Sequence, residues 1–210
     1  ATDTRLLTIG MDNAMRIVDI ENMKLHCGGR LVKRMEDGEM LTCCYLDAEN
    51  DRAFIGTSKF GKVFIYDVFN NPPIFLHTLN VSNNPKEQVS AIHFAEDDMK
   101  FYIGHGSRIS VYPSTSKTRE SKMEKMCEFR YLQFDAKKTK VTTVCAVPTE
   151  NVLAAGYEDG VLAIYNLSNQ ELMMAHQAHD GSCLTLRWVE DPPYGPALYT
   201  GGEDGKVFTL

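Results

Sequence analysis

The feature that most constrains the fold is a repeated pattern of strand, sharp turn and strand. Copies of the pattern lie at 6–20, 53–68, 100–114, 154–167 and 198–210. Each copy has a glycine at the end of its first strand: Gly10, Gly56, Gly104, Gly156 and Gly201. These glycines are separated by 46, 48, 52 and 45 residues. A period near 45 residues is typical of four-stranded propeller blades, or of helical repeats of similar length.

Side-chain periodicity decides between these two repeat types. The runs 63–68 and 161–165 are short, rich in β-branched and aromatic residues, and bounded by glycine and asparagine. Such runs are typical of strands. Outside 115–130, no window supports an amphipathic helix of ten or more residues. The sequence therefore predicts an all-β chain.

Further alternating runs supply the other strands that a four-stranded unit needs. They precede each repeat glycine at 39–46, 89–95, 141–147 and 183–189, and they follow each strand pair at 24–31, 74–79, 126–134 and 172–178. We therefore expect three full blades, a partial blade at each end, and about four to five blades in total. The predicted boundaries are about 1–32, 39–80, 89–134, 140–178 and 182–210.

Two stretches make the resemblance specific. "AHDGSCLTLRW" at 178–188 and "YTGGEDGKVFTL" at 199–210 resemble the loop and strands of WD40 repeats. The Trp-Asp dipeptide of that family is replaced by other pairs: Val18-Asp19, Tyr66-Asp67, Tyr112-Pro113 and Tyr165-Asn166. The resemblance implies a β-propeller of four-stranded antiparallel blades, and it covers essentially the whole chain.

The resemblance also implies a structural network in which a turn Asp, a loop His and a strand hydroxyl are joined by hydrogen bonds. The turn position falls on Asp12, Asp159 and Asp204, the loop position on His179, and Thr185 is a candidate for the strand hydroxyl. A turn Asp accepts short-range bonds from backbone N–H groups, and a satisfied buried network specifies geometry.

Catalytic and metal sites are weakly indicated. His179 is followed by Asp180, but we interpret the histidine as structural. His176, His179 and Cys183 straddle a strand end, a turn and a strand start, and no second cluster completes a tetrahedral metal site. No GxSxG motif or βαβ phosphate loop is present. We therefore predict no enzymatic activity, no metal and no cofactor.

Composition narrows the class of partner and the compartment. The formal net charge is −6, which disfavours a generic nucleic-acid binder. No apolar run approaches the roughly 20 residues of a membrane span. The six cysteines include no CxxC pair, so we expect free thiols in a reducing, intracellular compartment, the cytoplasm. Adjacent Cys43 and Cys44 are expected on opposite faces of a strand.

The longest interruption of the repeat is basic. Residues 113–125 mix Ser and Thr with several Lys and Arg, and the segment is a candidate for phosphorylation. A second basic patch at 137–140 includes Lys137 and Lys138. The region 117–140 motivates an alternative function, a phosphoinositide-binding or membrane-trafficking propeller that is attracted to anionic lipid. The expected double-arginine loop is absent, because "EFRYL" offers Arg130 alone.

The resemblance implies a non-catalytic protein-interaction scaffold that presents loops to partners within a multiprotein complex. The predicted partner-facing positions follow the repeat glycines: Met11, Thr57, His105 and Tyr157. Four to five units are too few for the usual ring of WD40 proteins. The remaining blades are expected in the same longer chain, with a partner chain as the second option.

Overall fold

The strands found in the structure group into five small sheets. The structure is a computed structural model, and it describes residues 4–31, 35–114, 123–131, 139–190 and 195–210. The described residues form two compact units, 4–92 and 93–210. They contain eighteen strands and one 3-10 turn, at Pro148–Glu150. The predicted all-β fold is confirmed.

The first unit contains two complete sheets. In the first, β1 (Arg5–Ile9), β2 (Ala14–Asp19) and β3 (Lys24–Arg30) are antiparallel neighbours in chain order. In the second, the order is β4 (Leu41–Asp47), β5 (Arg52–Thr57), β6 (Lys62–Asp67) and β7 (Ile74–Asn80). Short turns join neighbouring strands, so each sheet is a meander.

The third sheet has the same meander order. Its strands are β8 (Val89–Ala95), β9 (Lys100–His105), β10 (Arg108–Pro113) and β11 (Cys127–Arg130). The boundary between the two units falls within β8. The run predicted at 126–134 begins as β11, and its later part lies outside the described residues.

The fourth and fifth sheets belong to the second unit. The fourth has the order β12 (Val141–Val147), β13 (Val152–Tyr157), β14 (Val161–Asn166) and β15 (Leu172–Gln177). The fifth has three described strands, β16 (Cys183–Val189), β17 (Ala197–Gly202) and β18 (Val207–Thr209). The strands predicted at 141–147 and 183–189 coincide with β12 and β16.

Apolar side chains from neighbouring sheets share each core. Met15 and Ile17 of the first sheet are fully buried in one cluster with Ile55 and Phe64 of the second. In the second unit, Leu162 of the fourth sheet is buried in one cluster with residues of the fifth. Alternating side chains point to opposite faces of a strand, so central strands covered on both faces are apolar at successive positions.

Two of the repeat glycines, Gly56 and Gly156, lie where one sheet approaches the next too closely for a side chain. A β-carbon at Gly56 would lie 2.5 Å from Cys43 Sγ and 2.8 Å from Val89 Cγ1. At Gly156 it would lie 2.6 Å from Cys183 Sγ. Real β-carbons do not approach other atoms this closely, because protein interiors are close-packed. Glycine at these two positions is therefore required by packing between sheets.

A bulge near the start of the first strand recurs and links successive sheets. The register shifts between Leu41 and Cys43 in β4, and between Val141 and Thr143 in β12. The intervening threonines bond forward to the next sheet, with Thr42 Oγ1 2.5 Å from the carbonyl oxygen of Val89. The Thr142 hydroxyl donates to the carbonyl oxygen of Cys183 in the same way. Bulges of this kind redirect a side chain out of the regular ladder.

All six cysteines are free thiols in the structure. Cys43 Sγ lies 3.7 Å from the carbonyl oxygen of Val89, whereas Cys44 Sγ lies 4.0 Å from that of Leu7. The two thiols therefore contact different neighbouring strands. Burial raises the pKa of Cys43 to about 12, so this thiol stays protonated at neutral pH.

Candidate interaction surfaces and turn networks

The best-formed polar cluster joins the fourth-to-fifth sheet connection to the β17–β18 turn. His179 Nδ1 lies 3.0 Å from Asp204 Oδ1, and His179 Nε2 lies 2.9 Å from Thr200 Oγ1. The backbone N–H of Asp180 donates to Asp204 Oδ2 at 3.2 Å. The imidazole is buried, and its ring lies 5.1 Å from that of Phe208. We call His179, Thr200 and Asp204 the histidine network.

The charge of Asp204 is set by opposing effects. Burial raises the pKa of this carboxyl. Hydrogen bonds from the backbone N–H groups of Lys206 and Asp180, and from His179, together lower the pKa by more than burial raises it. The net result is a pKa below the usual value, so the carboxylate stays ionised. Both ring nitrogens of His179 have partners, which fixes the ring orientation. The network thus ties a loop to one strand and one turn of the same sheet.

The strand hydroxyl of this network belongs to Thr200, not to Thr185 as the sequence had indicated. Thr185 is exposed on β16, whereas Thr200 is 1% exposed and lies on β17 beside the repeat glycine Gly201. The physical reason is side-chain alternation, because His179 reaches only the face of the sheet on which Thr200 lies. Sequence spacing alone does not distinguish two threonines on adjacent strands.

The other predicted turn aspartates bond locally. Asp12 Oδ1 accepts the backbone N–H of Ala14 at 3.3 Å, and its Oδ2 lies 2.7 Å from Arg16 Nη2. The Arg16 guanidinium lowers the pKa of Asp12. Asp159 Oδ1 accepts the backbone N–H of Val161 at 3.3 Å. Among the described residues, Asp204 is thus the one predicted turn aspartate that pairs with a histidine.

Three of the four predicted partner-facing residues are buried. Met11 is 90% exposed at its turn, whereas Thr57 and His105 are 0% exposed and Tyr157 is 1% exposed. Each buried residue is the last of its strand, where its polar atom finds an internal partner. Thr57 Oγ1 lies 3.0 Å from the carbonyl oxygen of Lys59, and His105 Nε2 lies 2.8 Å from Ser110 Oγ. These three side chains therefore have no surface to offer a partner.

The fourth sheet uses tyrosines at this strand end. The hydroxyl groups of Tyr157 and Tyr165 lie 2.8 Å apart, and the Tyr131 ring centroid lies 4.9 Å from that of Tyr157. Burial raises the pKa of Tyr165 to about 12, and it raises that of Tyr157 as well. Both phenols are therefore neutral hydrogen-bonding groups. We call Tyr131, Tyr157 and Tyr165 the tyrosine cluster.

The geometry assigns the pairs considered for catalysis to other roles. Asp180, next to His179 in sequence, places its carboxylate 3.1 Å from Lys206 Nζ, and His179 bonds Asp204 instead. His176 is exposed on β15, whereas His179 and Cys183 are buried. Across the part of the chain that the structure describes, no three His, Cys, Asp or Glu residues group as metal ligands. The same residues include no helix of the length and apolarity that would cross a membrane.

A cavity of about 280 Å³ with both apolar and polar lining residues lies beside β11 in the second unit. Cys127 and Phe129 of β11 line it, together with Val111 of β10 and Leu167 of the β14–β15 turn. Lys100 also lines the cavity, and its ammonium group lies 2.9 Å from Asp98 Oδ2. Lys100, the charged residue among the described lining residues, therefore already has a counter-ion.

Three cations surround Glu128 of β11. Arg130 Nε lies 2.6 Å and Lys125 Nζ 2.9 Å from its carboxylate, and Arg108 Nη1 lies 3.9 Å away. Burial raises the pKa of Glu128, but the bonds from Lys125 and Arg130 bring it below its usual value. We call Arg108, Lys125 and Arg130 the basic cluster. The rest of the basic 117–140 region, including Lys137 and Lys138, lies largely outside the described residues.

Comparison with known proteins agrees with this architecture. A family model for the anaphase-promoting complex subunit 4 WD40 domain matches residues 124–191. Sqt1 of Saccharomyces cerevisiae superposes with a TM-score of 0.70 at 15% identity, over 98% of this chain and 55% of that one. The computationally designed Ika8 protein gives a TM-score of 0.66 at 13% identity, over 100% of this chain and 56% of that one. No curated protein sequence matches the chain.

The sheets and the solved structures define the fold class. The chain has the fold of WD40 β-propellers, about four to five blades are represented, and the WD40 family model is similar to residues 124–191. It spans a little over half the length of the two solved structures named above. WD40 propellers generally bind other proteins and are generally not catalysts.

Proposed function

We propose that this chain is part of a non-catalytic scaffold that binds other proteins within a multiprotein complex. The WD40 propeller fold is the observation that carries this proposal. The family model that matches 124–191 is named for a subunit of a multi-subunit complex, which supports the same class of role. Within the described residues, the pair considered for catalysis, His179 and Asp180, is divided between a bond to Asp204 and one to Lys206.

We further propose that more blades complete the propeller, in the same longer chain. The described strands of the fifth sheet number three, and its side chains Leu184, Val207 and Phe208 are 58%, 70% and 41% exposed. Apolar side chains at this density on one sheet are normally covered. The chain also spans only 55% of Sqt1. A partner chain that supplies the missing blades is the other arrangement.

Cross-linking of affinity-purified protein, followed by mass spectrometry, tests the scaffold proposal. The full protein is expected to retain stoichiometric protein partners, with cross-links at exposed lysines of the described surface. The proposal fails if the protein purifies alone from native extract at physiological salt. It also fails if sedimentation with phosphoinositide vesicles, abolished by reversing the charges of Lys137 and Lys138, replaces protein binding, because that result favours the membrane-trafficking alternative.

The cytoplasmic location also remains a proposal, and the cysteine pattern supports it. Rapid alkylation of unfolded protein from cells, before any reducing agent is added, is expected to modify all six cysteine thiols of the chain. Protection of a pair of cysteines that disappears after reduction would contradict a reducing compartment.

A further inference from the structure

β11 is an edge strand whose two faces differ in chemistry. We propose that this edge binds an extended peptide in which apolar and acidic residues alternate. This inference rests on the proposed scaffold function and names one class of partner for it. β11 pairs with β10 on one side, and among the strands that the structure describes none pairs with its other side. An open edge offers alternate backbone N–H and C=O groups to an added strand.

One face of β11 borders a recess whose wall along β11 is apolar. Cys127 and Phe129, two residues apart, both line the cavity of about 280 Å³. Leu167 and Val111 supply further apolar wall, Gln170 supplies a polar part of it, and Lys100 is paired with Asp98. The recess accommodates a side chain of the size of Leu or Phe. A charged side chain is disfavoured there, because burial of an unpaired charge is costly.

The opposite face of β11 carries a surplus of positive charge. Glu128 and Arg130 alternate with the cavity-lining residues, so they point to the other face. Arg130 is directly opposite Arg108 in the β10–β11 register, which places both guanidinium groups on this face. The basic cluster sets three cations against the single carboxylate of Glu128, and their side chains are 41% to 58% exposed. Counted over the described residues, two positive charges are therefore left over for a ligand.

The two faces together specify the alternation in the partner. A peptide strand added to β11 directs successive side chains to opposite faces, with a period of two residues. Its apolar residues then enter the recess, and its acidic residues meet Arg108 and Arg130. The whole chain has a net charge of −6, so acidic peptides are repelled elsewhere and steered to this local surplus.

Fluorescence anisotropy with the full protein tests the pattern directly. The probe is a labelled eight-residue peptide of alternating Leu and Asp, and its isomer with the same residues in two blocks is the matched control. Each exposed charge pair contributes little, but several act together. The double variant R108E/R130E is therefore expected to bind the alternating probe with roughly ten-fold lower affinity than the parent protein. A probe with Lys in place of Asp is expected to bind this variant better than the parent protein.

Two controls separate recognition from damage to the fold. Arg187, exposed on β16 away from the basic cluster, gives R187E as the charge-matched variant, which is expected to bind the alternating probe like the parent protein. The variant L167E places a carboxylate at the recess, and it is also expected to lower the binding affinity for the alternating probe. Hydrogen exchange of the β11 amides in the parent protein is expected to slow when the probe is added, whatever the variants do.

Several results would overturn the inference. Equal binding of the alternating and block peptides would contradict recognition by an added strand. Unchanged hydrogen exchange at 127–130 would contradict pairing of the peptide with β11. Charge-sensitive binding of phosphatidylserine vesicles without peptide binding assigns the basic cluster to a membrane surface instead. If R108E/R130E retains all cross-linked partners of the parent protein while the probe does not bind, the edge inference is wrong and the scaffold function stands.

Discussion

The fourth and fifth sheets fill the same position, the end of their second strand, with different side chains. In the fourth sheet Tyr157 follows Gly156. The Tyr157 ring fills the space at the strand end, and its hydroxyl group is hydrogen-bonded to that of Tyr165. In the fifth sheet Gly202 follows Gly201, and a β-carbon there would overlap the His179 ring. The histidine thus enters the space only because the strand end has no side chain. One position therefore accepts either an internal side chain or one from the preceding loop.

The difference explains why a position that looks like a partner-facing site is a packing position. Thr57 and His105, at the same strand end in the second and third sheets, also turn inward and bond within their own sheet. Only Met11 is exposed, because β1 ends two residues earlier, at Ile9, and Met11 lies in the turn. Four predictions, in order of expected effect, test how the strand ends are filled.

Replacing the tyrosine in the fourth sheet has the largest expected effect. The change Tyr157→Ala leaves a large cavity at a fully buried site, and we expect a loss of about 3–5 kcal/mol in the free energy of unfolding. Chemical denaturation measures this loss. Tyr157→Phe keeps the ring and removes one hydroxyl, so it is expected to cost about 1 kcal/mol. Equal losses for the two variants would contradict the importance of ring packing.

Adding one methyl group in the fifth sheet is expected to displace the histidine. In Gly202→Ala the new β-carbon overlaps the His179 ring, and overpacking of this kind costs about 1–3 kcal/mol. Thermal unfolding measures the loss, and NMR of the imidazole reports the displacement. Gly29 has no atom within 4 Å of an added β-carbon, so Gly29→Ala is the matched control. If Gly202→Ala leaves the thermal stability unchanged, the His179 ring has room to move.

Removing the strand hydroxyl tests which threonine serves the network. Thr200→Val leaves His179 Nε2 buried without its partner, and the expected loss is about 1–3 kcal/mol. Thr185→Val, at the exposed position, is expected to stay within about 0.5 kcal/mol of the parent protein. Denaturation midpoints of both variants make the comparison. A larger loss at Thr185 would restore the assignment made from sequence.

The smallest expected effect is on the pH dependence of stability. The pKa of Asp204 is lowered in the folded state, so its contribution is present above the unfolded-state pKa and is lost as pH falls through the lower folded value. We expect Asp204→Asn to flatten the stability curve below about pH 4, with little change in slope above about pH 5. Denaturation from pH 2 to 7, with Asp97→Asn as an exposed control, measures the slope. Identical slopes for parent and variant would exclude this contribution.

Local patterns made the fold predictable, and the limits of prediction lie in contacts between strands. The alternating runs at 141–147 and 183–189 coincide with strands because alternation and turn residues act within a few neighbours. The pairing of His179 with Asp204 followed from resemblance to WD40 repeats. The choice of Thr200 over Thr185, and the burial of Tyr157, depend on which face of a sheet a distant residue reaches. A doubled glycine such as Gly201-Gly202, after a loop histidine, is the signal that could have indicated the inserted ring.

The basic cluster was also visible in sequence only as scattered charges. Arg108 and Arg130 are far apart in the chain, and the β10–β11 register sets them opposite each other.

The sequence by itself determined the type, number and spacing of the strands, since a two-residue period and turn-forming residues act over short distances along the chain. The tertiary structure alone decided which side chains became buried partners and which remained at an edge. The reason is that the free space between strands is set by residues far away in sequence, and a missing β-carbon on one strand admits a ring from another.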